Sequence, residues 1–266
     1  MAIRFPLDQA FIVGIWLEGC FYGIFIPIFG ASVYVLVAKK GLLVKLNLPI
    51  LIAAILMFAL ATAHVTINVY RLIHGFVLNE SVPGAAVLYL YSLSEPTQKA
   101  KDIVYVTQSL LGDGLNIYRS WLIWNKNWRI PVFPMLLWLT TCVVGYYIPG
   151  YLFQFYQTDS NIFGSRYRTY VTIWYTLTMV QNIITTSLIA FRLWRHERQI
   201  GDYRTGNFSL TSIIQIILES AAIYVAAQVV LLVTYACSDN AQYVLLEIIT
   251  PLVGIVSHRH LQKHCI

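Results

Sequence analysis

Residues 105–128 read YVTQSLLGDGLNIYRSWLIWNKNW, a long and mostly apolar run that carries an acid (Asp113), an amide (Asn116) and a base (Arg119). Ser109, Asp113, Asn116 and Ser120 fall at i, i+4, i+7 and i+11, so a helix places them in one polar stripe. Nine Leu, Ile or Val residues between Ile103 and Ile123 favour membrane insertion by about 3–5 kcal/mol in sum. A central Asp and a central Arg cost about 2.5–3.5 kcal/mol each and cancel that gain. Such a helix does not turn its stripe to lipid. It requires a bundle whose other helices supply partners.

Composition agrees. The chain has 266 residues, 58% hydrophobic and 11% charged, with a mean hydropathy of +0.65, whereas soluble domains are about one quarter charged. At about 20 residues per span, such a chain holds roughly six to eight spans and no soluble catalytic domain. The net charge of +6 does not indicate a nucleic-acid partner, because the bases sit in short gaps between apolar runs, where they set topology. Cys20, Cys142, Cys237 and Cys265 have no metal-ligand spacing and suggest no disulfide framework. No cofactor and no metal is expected. His258, His260, His264 and Cys265 could chelate an ion adventitiously, but nothing fixes their geometry.

The pattern predicts an all-α, single-domain polytopic transmembrane bundle of seven spans. They cover about 10–37, 48–72, 105–128, 131–153, 169–191, 210–235 and a short seventh at 243–256. The seventh has only 14 apolar residues before His258, Arg259 and His260; it thins the bilayer, continues with snorkelling bases or re-enters. Residues 77–101 are predicted as a polar loop, with Pro83 and Pro96 as breakers. The connections after spans 1, 3 and 5, with the C-terminal tail, hold eleven Lys or Arg residues against five in the others, which predicts the N-terminus outside and the C-terminus in the cytosol. The sequon at Asn79 then lies outside and is the glycosylation candidate, while that at Asn207 lies inside. Trp121, Trp124 and Trp128 fit an interfacial belt. The basic 192–204 loop fits a topogenic segment or a docking site for a cytosolic partner.

This layout groups the buried polar residues into two clusters. The outer one takes Glu18, His64, Asn68, Arg71 and Glu247, with His64, Asn68 and Arg71 in a second stripe at i, i+4 and i+7. The inner one takes Asp113, Asn116, Arg119, Asn182 and Glu219. Ionisable groups inside spans serve a ligand pocket or switch, or hold helices in register through interhelical hydrogen bonds; the sequence leaves both open.

The motifs LLGDGLNIYRSWLIWNKNW, NIITTSLIAFRLWRHER, IIQIILESAAIY and SDNAQYVLLEIITPLVGIV occur in that order. Over about residues 59–256 the chain resembles a family of seven-span membrane proteins abundant in mushroom-forming fungi. The resemblance implies a seven-helix fold and no particular chemistry. A wider likeness is to G-protein-coupled receptors, in the seven spans, the outer N-terminus and Tyr118-Arg119 in the cytosolic half of span 3. The chain departs from that pattern in having Thr250-Pro251 in span 7 and no cysteine in residues 98–105 or 154–168. Every lysine is expected outside the spans, which excludes a retinal Schiff base. The expected role is receptor-like or sensor-like, in the plasma membrane or an endomembrane, with the lipid bilayer and a small apolar ligand as partners. The alternatives are an embedded enzyme on a lipid or isoprenoid, with Asp113 and Glu219 as its acids, or a structural membrane protein. No H-E-x-x-H, G-x-S-x-G or P-loop motif is present.

Overall fold

The computed structural model describes residues 6–38, 48–78, 89–90, 95–152, 165–200, 210–237 and 239–264. Seven long helices account for almost all of them: α1 (Leu7–Ala38), α2 (Leu48–Ile73), α3 (Pro96–Ile123), α4 (Val132–Tyr147), α5 (Ser165–Ile200), α6 (Leu210–Ala236) and α7 (Ala241–His264). One π-helical turn extends α2 (His74–Leu78) and another extends α4 (Ile148–Leu152). No strand occurs among the described residues. Four stretches are long and apolar enough to cross a membrane: Asp8–Val35, Leu48–Val77, Val132–Gly150 and Ala241–His258.

Their outward faces match that reading. On α4 only Pro134, Thr141 and Gly145 are buried, while Phe133, Leu136, Leu139 and Val143 are exposed. A helix this apolar over its exposed surface suits a lipid solvent, since water would not tolerate a patch of that extent.

The element boundaries differ from expectation in three places. α3 begins nine residues before the expected span, with Pro96 in its first turn. Proline suits that position, because its missing N–H has no intrahelical partner there anyway. Gln98, Lys101 and Asp102 therefore stand on a helix and not in a loop, and Lys101 is buried. α5 runs on to Ile200, so the first part of the basic 192–204 segment is helical. There Arg192 lies 5.2 Å over the Trp124 ring and Arg198 lies 4.1 Å over Trp194. Trp124 also donates from its indole to the Leu188 carbonyl at 3.3 Å, so it docks α5 and does more than mark an interface. Finally, α7 continues to His264, well past the short apolar run. Its 24 residues measure about 36 Å at about 1.5 Å each, enough for a hydrocarbon core of about 30 Å.

α7 is the centre of the bundle and packs against α1, α2, α3 and α6. In its 18-residue apolar window 61% of the residues are buried, against 22–33% in the corresponding windows of α1, α2 and α4. Small residues allow this approach, as they do between membrane helices in general. A Cβ on Gly254 of α7 would stand 2.6 Å from the Phe25 ring of α1, and one on Gly112 of α3 would stand 2.6 Å from Val253 Cγ1. At the other end of α1, a Cβ on Gly14 would lie 3.3 Å from the Val244 backbone of α7. A large apolar cluster including Val106, Leu110, Trp174, Leu231, Ile249 and Val253 fills the space among α3, α5, α6 and α7. A smaller one with Phe25, Ala61 and Ile255 seals α1 and α2 onto α7, where Phe29 stacks on Phe58 at 4.2 Å.

This packing makes Gly254→Val and Gly112→Val costly, by about 1–3 kcal/mol each, as overpacked core positions are. Reversible unfolding in SDS measures the loss. Gly23, with nothing within 4 Å of its would-be Cβ, accepts Ala and is expected to gain up to about 1 kcal/mol from helix propensity.

Candidate functional site

The end of the bundle where α1 begins holds a buried ion network. Glu18 of α1, His64 and Asn68 of α2, and Glu247 of α7 are each 2% exposed or less, and Lys101 of α3 is 7% exposed. His64 Nδ1 pairs with Glu18 Oε1 at 2.5 Å and lies 3.9 Å from Glu247 Oε2. The Asn68 amide donates to both carboxylates, to Glu18 Oε2 at 2.6 Å and Glu247 Oε2 at 2.5 Å. Lys101 Nζ completes the set by donating to Glu247 Oε1 at 2.6 Å. Two carboxylates against one ammonium leave one negative charge, which a single proton on His64 or Glu18 cancels. Burial of four ionisable groups is tolerable only because every charge meets a partner; removing one leaves an uncompensated buried charge.

Arg71 lies next to this network. It donates to Gln98 Oε1 and, at 3.0 Å, to the Leu90 carbonyl, while Gln98 Nε2 donates to Asp102 Oδ1 at 2.8 Å. All five residues of the expected outer cluster therefore meet at one end of the bundle. The expected cluster omits Gln98 and Lys101, which fall in the polar stretch that predicts a loop, and Asp102 just after it. A signal did exist. Lys101, Gln108, Gly112 and Arg119 fall at i, i+7, i+11 and i+18, a straight line down one helix face. That whole line meets α7: Lys101 at Glu247, Gln108 at the Thr250 carbonyl (3.4 Å), Gly112 at Val253 and Arg119 at the Ser257 carbonyl (2.6 Å).

The expected inner cluster divides. Asp113 and Asn116 turn to α5, where Asn182 Nδ2 donates to Asp113 Oδ1 at 2.9 Å and Asn116 Nδ2 donates to Asn182 Oδ1 at 3.4 Å. Arg119 turns to α7 instead, because six residues on a helix rotate by about 240°. Arg119 and Asp113 form no ion pair among the described residues. Glu219 is exposed and stands apart. Tyr224, Gln228, Leu231 and Tyr235 define the buried face of α6, and a residue five positions before Tyr224 points about 140° away from it. The paired acids that an embedded enzyme would need are therefore not brought together at Asp113. Asn79 lies outside the described residues.

Beside the ion network, a cavity of about 110 Å³ opens among α3 to α7. Its wall is aromatic, formed by Tyr105, Trp174, Tyr175, Tyr235 and Tyr243, with Gln98, Asp102 and Gln242 as its polar members. Among the described residues, the buried Trp174 Nε1–H and Gln242 Oε1 have no hydrogen-bond partner. A second, smaller cavity of about 50 Å³ shares Gln98, Asp102, Tyr105, Tyr243 and Leu246 with the first and ends on His64, Lys101 and Glu247. The two cavities thus connect an aromatic chamber to the ion network through one wall. No family model, curated protein or solved structure matches the chain.

If the network is held by charge compensation, Lys101→Met destabilises the protein by about 3–5 kcal/mol, and the double variant Lys101→Met/Glu247→Gln recovers most of that loss. Unfolding midpoints of the single and double variants measure the coupling. A cost below about 1 kcal/mol for Lys101→Met would place the pair in water instead.

Proposed function

We propose that the chain is a seven-span membrane protein of a receptor-like or sensor-like kind, with the N-terminus outside, in keeping with the fungal seven-span proteins it resembles. The observation that carries this reading is the aromatic chamber with one unpartnered buried donor, Trp174 Nε1, and one unpartnered buried acceptor, Gln242 Oε1. A buried polar atom without a partner costs free energy, and a ligand or water in the chamber would complete the bonding of these two. A cavity of about 110 Å³ is close to the size that accepts a single benzene-like ring, with a water occupying about 30 Å³. The ligand class is therefore small and mostly apolar, with one hydrogen-bonding group. Through Tyr105 and Asp102 the ligand would touch the same wall that bounds the ion network. Displacing that wall changes the surroundings of Lys101 and Glu247, and with them the contacts that tie α7 to its neighbours. An ion network beside a ligand chamber supplies the element that such a switch would bias.

Two measurements test the proposal. In nanodiscs, a panel of single-ring and short-chain alcohols, ketones and phenols is expected to contain compounds that raise the thermal midpoint. At about 100-fold over Kd such binding stabilises by about 2.7 kcal/mol. Val171→Phe, which narrows the chamber, should abolish the effect; a response equal in both proteins, or none across the panel, would refute the chamber as a binding site.

The orientation is tested by glycosylation mapping with a C-terminal reporter. Modification at Asn79 alone, with a cytosolic reporter, is the expected result. A reporter on the outer side would mean that α7 does not cross.

A further inference from the structure

We propose that Glu18, His64 and Glu247 form a binding site for a first-row transition-metal dication of the Zn²⁺ class, with Asn68 as a fourth ligand. This goes beyond the ligand chamber and does not rest on it. The three side chains come from three helices, at positions 46 and 183 residues apart in the chain, so no sequence spacing announces them. Each offers one ligand atom, and these atoms lie within 4.8 Å of one another. A tetrahedral ion with bonds of about 2.0–2.1 Å needs its ligand atoms about 3.3 Å apart. The 2.5 Å contact of His64 with Glu18 must open by less than 1 Å from that starting point, and the 3.9 Å separation from Glu247 must close by a similar amount. Side-chain torsions suffice for both.

Asn68 supplies the fourth position by turning over. Its Nδ2 donates to both carboxylates, which holds the amide at the centre of the site. With an ion between the carboxylates, rotation of the amide presents Oδ1 to the metal in place of the N–H. Lys101 stays on Glu247 Oε1 and orients the carboxylate from outside, as partners beyond the ligands of a metal commonly do.

The donor set narrows the ion. An imidazole nitrogen with two or three oxygens suits Zn²⁺, Co²⁺, Mn²⁺ or Fe²⁺, whereas Ca²⁺ and Mg²⁺ prefer oxygen alone. With Lys101 still on Glu247, a dication takes the two carboxylates from one net negative charge to one net positive charge, and His64 must be neutral to bind, so any proton it carries is released on binding. An approach exists, because the cavity of about 50 Å³ ends on His64 and Glu247 and has room for a water molecule.

The test uses the full chain, purified without a histidine tag, treated with chelator and titrated with Co²⁺ in nanodiscs. The expected result is one Co²⁺ per chain with the intense visible d–d absorption of a four- or five-coordinate site, displaced by one equivalent of Zn²⁺. His64→Ala and Glu247→Gln should each weaken uptake at least tenfold. A tail variant, His260→Ala/His264→Ala/Cys265→Ala, should leave it unchanged. If either ligand variant fails to fold, Lys101→Met decides the matter: destabilised in chelator, it should regain its midpoint when Co²⁺ is added, which a purely structural ion network would not do. Absence of saturable uptake, loss of uptake in the tail variant, or full uptake by His64→Ala or Glu247→Gln would overturn the proposal.

Discussion

Glu247 is the contact on which the arrangement of the helices turns. One carboxylate on the central helix α7, near one end of the bundle, takes a hydrogen bond from α2 through Asn68 and an ion pair from α3 through Lys101. Its neighbour across Asn68 is the Glu18 carboxylate of α1. Four helices are thus tied by a few atoms whose bonds strengthen in a low-dielectric interior. The same surroundings make the network intolerant of partial loss, because a charge left alone there has no water to turn to. Such a device specifies which helices meet, and in what register, more strictly than apolar contact can.

Apolar contact completes what the charges select. Lipid offers helices no hydrophobic reason to associate, so close packing must supply the attraction. Gly14, Gly112 and Gly254 allow α1 and α3 to approach α7 at distances that a side chain would block. Gly14 stands against the Glu247 side chain, where a Cβ would lie 3.1 Å from its Cγ methylene. Close helix packing and the ion network are therefore one feature, since a wider separation of α1 and α7 would pull Glu18 from the group that Asn68 joins. The observed contacts are those that hold helices in register, and the proposed ligand chemistry would draw on the same residues. The chamber beside them is lined by two residues, Trp174 and Gln242, that each carry a buried polar atom without a hydrogen-bond partner among the described residues.

Much of the fold is legible in the sequence. The apolar runs and their polar gaps place seven helices close to where they occur, because helix formation in a membrane satisfies every backbone group within one segment. The stripe His64, Asn68 and Arg71 is buried as its periodicity implies, and so are Ser109, Asp113 and Ser120 of the stripe through Asp113, with Asn116 half-buried. The ends are less legible. Pro96 reads equally as a loop breaker and as a helix start, and only the packing of α3 against α7 decides for the start. The basic residues after Phe191 read as a loop because a run of charge commonly ends a span, whereas α5 continues beyond the apolar stretch as a helix.

What sequence by itself determined is the class of molecule: an all-helical bundle with apolar faces outward and a set of polar residues that cannot face lipid. The pairing of those residues belongs to the tertiary structure. Periodicity fixes the direction of a side chain relative to its own helix, but says nothing of which neighbour lies there. Glu219 shows the limit, an acid on an apolar helix that faces outward because the rotation of α6 is set by Tyr224, Gln228 and Leu231. Lys101 shows the converse, a base assigned to a loop that becomes the partner of Glu247 once α3 is extended by two turns. Glu18, His64 and Glu247 meet only because α1, α2 and α7 converge, and that convergence is decided by glycines and buried charges acting across the whole length of the chain.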